Sequence, residues 1–259
     1  MRKYNKLVIL GTGNVAYALA QTFRESGRTV LQVWGRSEEA ARKLGNFLHV
    51  PFAFQMDQLD AHADAYIICV KDDAIASVAA QFPFPNKPLI HTAGTVPVDV
   101  LSAYTRFPAV WWIMQSIQKN TTLLGAPSVI DFSEKELEEP LYDLAGTLRG
   151  EVVRLDIHQR KKLHLTTVML ANFSQYLGGR VIEFAKKNQL PAHLLYPIMR
   201  NVLHQVMEGH GLEHLTGPAR RNDVQVMQQQ LELLGNENDL KELYEVFSKQ
   251  IVEGFQQIK

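Results

Sequence analysis

The sequence predicts an α/β domain built on a mostly parallel sheet over residues 1–155, followed by an all-α domain over 156–259. Three observations carry this reading. Strand-like and helix-like segments alternate with short turns through the first part, the pattern of a parallel sheet covered on both faces. The apolar run Leu7-Val8-Ile9-Leu10 enters the glycine turn Gly11-Thr12-Gly13-Asn14-Val15-Ala16, where a strand gives way to a helix. After Asp156 the strand signals stop and only helical spacing remains.

Taken in order, residues 6–10 read as a strand and 14–25 as a helix ending at Gly27. Residues 29–35 form a second strand, and 37–46 a helix with Ser37 as N-cap and Glu38 and Glu39 in its first turn. Short strands follow near 50–53, 65–70 and 88–92, with helices starting at Asp73, which caps its own, and near Val98. Apolar residues 108–114 and 126–130, a helix over 133–148 and a last strand over 151–155 make the outer half of the same sheet. The helical part comprises 157–188, 192–210, 222–235 and 238–258, with Gly or Pro at the breaks; Leu195, Ile198, Val202 and Val206 recur at helical intervals.

The glycine turn carries the chemistry. Gly11 permits the tight turn, Gly13 lets backbone approach a pyrophosphate, and Ala16 is the third small position, where helix and strand pack closely. The helix beginning there offers unpaired N–H groups and a partial positive charge to an anion. This is the nucleotide-binding turn of a Rossmann domain, and its ligand is expected to be a dinucleotide. Where a carboxylate would accept bonds from a free ribose 2′-hydroxyl, this chain has Gly35-Arg36-Ser37. Arg36 can grip a 2′-phosphate in fork geometry and Ser37 can add a donor, so NADP is the expected cofactor.

Other candidates follow strand ends. Val70 and Lys71 stand after the fourth strand, where Lys71 can approach the cofactor. His91 follows the fifth, and either borders the nicotinamide or is satisfied by nearby backbone. His164 and Asn172, eight residues apart on one helix, would lie about 80° apart around its axis and could line one cleft. In Leu215-Thr216-Gly217-Pro218-Ala219-Arg220-Arg221-Asn222-Asp223, Arg221 can bind an anionic group and Asp223 can cap the next helix. His204, His210 and His214 lack HExxH spacing, and no metal is expected.

Composition narrows the classes. Lys plus Arg and Asp plus Glu balance at 27 each, which offers no general electrostatic hold on nucleic acid. Cys69 is the only cysteine, so no intrachain disulfide forms, and its apolar surroundings in sequence make it a small core residue. No apolar stretch reaches the length of a membrane span, and the run after Lys6 enters the glycine turn instead of forming a leader. A cytoplasmic protein is the expectation.

In this order, the glycine turn, Val70-Lys71-Asp72-Asp73-Ala74, His91-Thr92-Ala93-Gly94, Met114-Gln115-Ser116, His164 with Ala171-Asn172-Phe173, and Leu215-Thr216-Gly217-Pro218 resemble the Rossmann-plus-helical family DUF2520, which is similar to F420-dependent NADP reductases. The resemblance covers nearly the whole chain, and the element at 215–223 is its more specific part. More distantly the chain is similar to pyrroline-5-carboxylate reductase and the 6-phosphogluconate dehydrogenase superfamily. The resemblance implies a substrate cleft between the domains and a homodimer formed through the helical one.

There are two departures. Family members carry His-Pro or Tyr-Pro ahead of the Leu/Met-Gln pair, where this chain has Trp112-Ile113-Met114-Gln115. The Lys-x-x-x-Asn spacing of the hydroxyacid dehydrogenases is missing before Asn172. The first expectation is therefore an NADP-dependent oxidoreductase acting on a small molecule, with His164 and then His91 as proton donors. Asn172 and Gln115 would position a polar group, and Arg221 would neutralise an anionic one. The alternatives are a dinucleotide-binding sensor or regulatory protein without turnover, and a cofactor-binding scaffold that dimerises through its helices.

Overall fold

A computed structural model describes residues 3–256. Arg2 and the end of the expected last helix, 257 and 258, lie outside the described residues. The chain divides into two compact units, Met1–Val168 and Met169–Lys259.

In the first unit the described residues form an eight-stranded sheet in the order β3-β2-β1-β4-β5-β6-β7-β8. Its strands are β1 (Lys6–Leu10), β2 (Thr29–Trp34), β3 (Phe52–Ala53), β4 (Ala65–Ile68), β5 (Leu89–His91), β6 (Pro108–Ile113), β7 (Ser128–Phe132) and β8 (Val152–Arg154). Pairing is parallel from β3 across to β6, β7 runs antiparallel to β6, and β8 is parallel to β7. The first six strands follow the order 3-2-1-4-5-6 of a dinucleotide-binding sheet, whose direction of winding reverses between β1 and β4.

The helices of this unit are α1 (Asn14–Glu25), α2 (Glu38–Leu48), α3 (Ile75–Ala79), α4 (Glu138–Ala145) and α5 (Ile157–Thr167). Side chains alternate across the sheet with period two, so each central strand feeds two cores. Leu7 and Ile9 of β1, with Ala65 and Ile67 of β4, pack with Leu19 and Phe23 of α1 and Leu141 and Leu144 of α4. Val8 and Leu10, with Tyr66 and Ile68, pack on the other face with Ile75 and Val78 of α3. Burial on both faces explains why these strands read as continuous apolar runs.

The second unit holds α6 (Ser174–Lys187), α7 (Leu195–Met207), α8 (Pro218–Arg221), α9 (Val224–Leu233) and α10 (Asn238–Gln256). Arg180 on α6 joins α10 through Asp239, donating from Nε at 2.6 Å and Nη2 at 3.0 Å. That pairing holds the Asp239 carboxyl down at about 2. Around an apolar cavity of about 440 Å³ stand Leu177, Phe184, Pro218, Leu234 and Leu243.

Three expectations are corrected. Asp73 caps no helix: a 3₁₀ turn, Asp72–Ala74, precedes α3, and no side chain caps either element. The side chain engaged there is Asp72, which accepts from Thr95 Oγ1 at 2.6 Å. The helix expected over 222–235 is α9 and starts only at Val224, because Asn222 takes a left-handed conformation (φ 55°) that ends the separate short α8. Asp223 then caps α9 by accepting from the Val226 N–H at 3.2 Å. Between α5 and α6, Val168–Phe173 is π-helical. The usual rotation per residue does not hold there, and the 80° reckoning for His164 and Asn172 fails.

Candidate functional site

Gly11 ends β1 with φ +137°, and a Cβ there would lie 2.2 Å from the Cys69 carbonyl oxygen. No other residue fits both the dihedral and the contact. Its N–H donates to the Trp34 carbonyl at 2.8 Å, and the Cys69 N–H donates to the Leu10 carbonyl at 2.7 Å. The turn is thus fixed between the ends of β1, β2 and β4.

Gly13 is the N-cap of α1, without a side-chain cap and with no acidic residue in the first turn. A Cβ at Gly13 would find only the Cys69 oxygen, at 4.0 Å. The first N–H groups of α1 therefore stay available to an anion.

A cavity of about 1220 Å³ opens at this turn, at the β1/β4 reversal. Gly11, Thr12, Gly13, Asn14 and Val15 line it, together with Arg36, Ser37, Val70 and Lys71. Ala16 is fully buried in the core, in the packing role expected of the third small position.

At the end of β2, Ser37 caps α2 by accepting from the Ala40 N–H at 3.3 Å, which leaves its hydroxyl proton to give. Glu38 is taken up by Arg42, whose Nη2 lies 2.6 Å from the carboxylate. Arg36 is exposed and has no ion pair among the described residues. Burial pushes the Cys69 thiol up to about 12, which suits the core role expected of it.

A second group of residues lies past β5 and β6. His91 is fully buried; its Nδ1 accepts from the Ala93 N–H at 3.2 Å and its Nε2 lies 3.3 Å from the Pro97 carbonyl. Burial, reinforced by the charge of Arg160, lowers its pKa to about 4 against the Pro97 bond. Both nitrogens are therefore committed to backbone on a neutral ring. This corrects the expectation of His91 as a second proton donor.

His164, on α5, is partly exposed and makes no hydrogen bond or ion pair among the described residues. Its ring lies 5.5 Å from that of Trp112 at an interplanar angle of 44°. Gln115 is exposed just beyond β6. In the second unit Asn172 and Arg221 are both exposed. His210, Glu213 and His214 bring potential ligand atoms within 4.8 Å of one another, all on exposed side chains.

The sequence reading missed the Trp112–His164 contact and the buried Arg160. Arg160 stands four residues before His164 and so on the same helix face, a spacing that could have drawn attention to it.

Residues 6–94 match the family model for NADP oxidoreductase, coenzyme F420-dependent. Residues 126–251 match the domain of unknown function DUF2520. No curated protein matches the chain.

Among solved structures, a Bacteroides fragilis protein provisionally named an NADP oxidoreductase is 29% identical with a TM-score of 0.85, over 96% of this chain and 98% of that one. The imine reductase of Myxococcus stipitatus, in complex with NADP+, is 15% identical with a TM-score of 0.68, over 97% of this chain and 94% of that one. The 1-pyrroline-5-carboxylate reductase of Streptococcus pyogenes is 17% identical with a TM-score of 0.62, over 96% of this chain and 98% of that one. The last two likenesses are of fold alone. The chain is thus similar to NADP oxidoreductases over residues 6–94 and to DUF2520 over 126–251.

Proposed function

We propose that the chain is an NADP(H)-dependent oxidoreductase that moves hydride to or from a small molecule. The observation that carries the proposal is the glycine turn at the β1/β4 reversal, with Arg36 at the end of β2 free of any ion pair among the described residues. When bound, the nicotinamide supplies the hydride chemistry. The backbone of Gly11–Gly13 and the first N–H groups of α1 hold the pyrophosphate. Arg36 and Ser37 hold the 2′-phosphate, and Lys71 stands beside the nucleotide at the end of β4.

His164, whose ring nitrogens have no hydrogen-bond partner among the described residues, gives or takes the proton on the substrate. Gln115 positions a polar substrate group. We assign substrate recognition in the second unit to the Asn172 amide and the Arg221 guanidinium.

The protein acts as a homodimer joined through its helical unit. Support comes from α7, which buries none of its residues yet carries Ile198, Val202 and Leu203 more than half exposed (61%, 52% and 53%). An apolar helix with no covered face needs a partner.

The test is a screen for NADPH oxidation against small carbonyl and imine compounds, repeated with His164→Ala. Turnover that falls by about 10²-fold or more in the variant, with NADPH binding kept, supports the assignment. NADPH binding without turnover across the screen would favour the sensor reading.

A further inference from the structure

Arg160 is fully buried on α5, one helical turn before His164. Its Nε donates to the Gly94 carbonyl at 3.1 Å and its Nη2 to the Val96 carbonyl at 2.7 Å. Its Nη1 donates to the Asp131 carboxylate at 3.0 Å. Asp131 lies on β7 opposite Val110 of β6, and Trp112 follows two residues along that strand. One guanidinium thus fastens α5 to the segment after β5 and to the strand beside β6.

The segment that Arg160 grips is also the one on which the ring pair sits. A Cβ at Gly94 would lie 2.8 Å from Trp112 Cε2 and 2.9 Å from His164 Cδ2. Both rings therefore rest against backbone that has no side chain. Burying a guanidinium is costly, and an apolar side chain in its place is often as stable or more so. What an apolar side chain lacks is three directed bonds with fixed angles, and a lysine lacks the planar fork that makes them together.

We infer that Arg160 is a positioning residue: it sets the height and rotation of α5 over Gly94, so that the imidazole of His164 lies against Trp112 with its nitrogens free. The inference rests on the proposed role of His164 and concerns only the first unit.

The test is NMR of the full chain labelled with ¹³C-histidine. The His164 Cδ2–H signal is identified by its loss in His164→Gln. In the wild type the indole ring current displaces that signal, and Trp112→Leu gives its undisplaced position.

In Arg160→Met and in Arg160→Lys, the His164 signal moves at least halfway to that undisplaced position, while the signals of the histidines in the second unit stay in place. Gly94→Ala leaves the guanidinium intact but pushes the rings apart, and moves the same signal. A folded Arg160→Met protein with the wild-type His164 signal overturns the inference. Should that variant not fold, an unmoved signal in Arg160→Lys overturns it equally. NADPH binding by the wild type is measured separately: its absence would sink the cofactor reading and leave the ring geometry standing, whereas an unmoved signal with binding intact sinks the role of Arg160 alone.

Discussion

Gly11 and His91 show how single residues fix the first unit. Gly11→Ala places a methyl group against the Cys69 carbonyl in a conformation that L side chains avoid. The expected loss is about 2–4 kcal/mol of stability, together with NADPH binding. Chemical denaturation and nicotinamide fluorescence check both.

His91 makes stability depend on pH. In the unfolded chain its imidazole titrates near the ordinary value of about 6.5. In the fold that value drops to about 4, chiefly through burial. Between the two, the unfolded chain binds a proton that the folded chain does not. Stability is therefore fully present above about 6.5 and falls as pH drops toward about 4, by about 3 kcal/mol in all. His91→Asn should flatten that window. Tryptophan fluorescence reports it cleanly, since Trp34, Trp111 and Trp112 all lie in the first unit.

The glycine was legible in the sequence because its strand-turn-helix context is local. The state of His91 was not, because its partners Ala93 and Pro97 are chosen by how the segment after β5 folds back. The partners of Arg160 were unreadable for the same reason: they lie 29 to 66 residues away in the chain.

Among the elements, those governed by local chemistry agree with the sequence. Ser37 before two glutamates marks the start of α2, and Asp223 the start of α9. The elements that differ are those where geometry departs from a regular period, as in the 3₁₀ turn before α3 and the π-helical stretch Val168–Phe173. Periodicity identified α7 as amphipathic, but not which surface covers it. If a second copy does so, Ile198→Glu on α7 should shift the protein from dimer to monomer in size-exclusion chromatography with light scattering. The far-ultraviolet circular dichroism should stay the same. A wild type that is monomeric at micromolar concentration, or a variant that stays dimeric, would contradict this interface.

Across the whole molecule, the sheet order 3-2-1-4-5-6 puts the glycine turn and the ends of β2 and β4 around one cavity. Alternating strands and helices indicate the parallel class, but they do not indicate the order of the strands. That order follows from which faces pack together over long separations. The central claim is that this cavity holds NADP through its 2′-phosphate. The most direct measurement is a titration with NADPH and with NADH, for the wild type and for Arg36→Ala, followed by nicotinamide fluorescence. The account predicts tight NADPH binding and weak NADH binding. Arg36→Ala should weaken NADPH by about tenfold to a hundredfold and leave NADH unchanged, as expected for the loss of a charge-assisted contact. Equal affinity for the two nucleotides, insensitive to Arg36, would contradict the assignment of the 2′-phosphate, and binding of neither would contradict the dinucleotide reading itself.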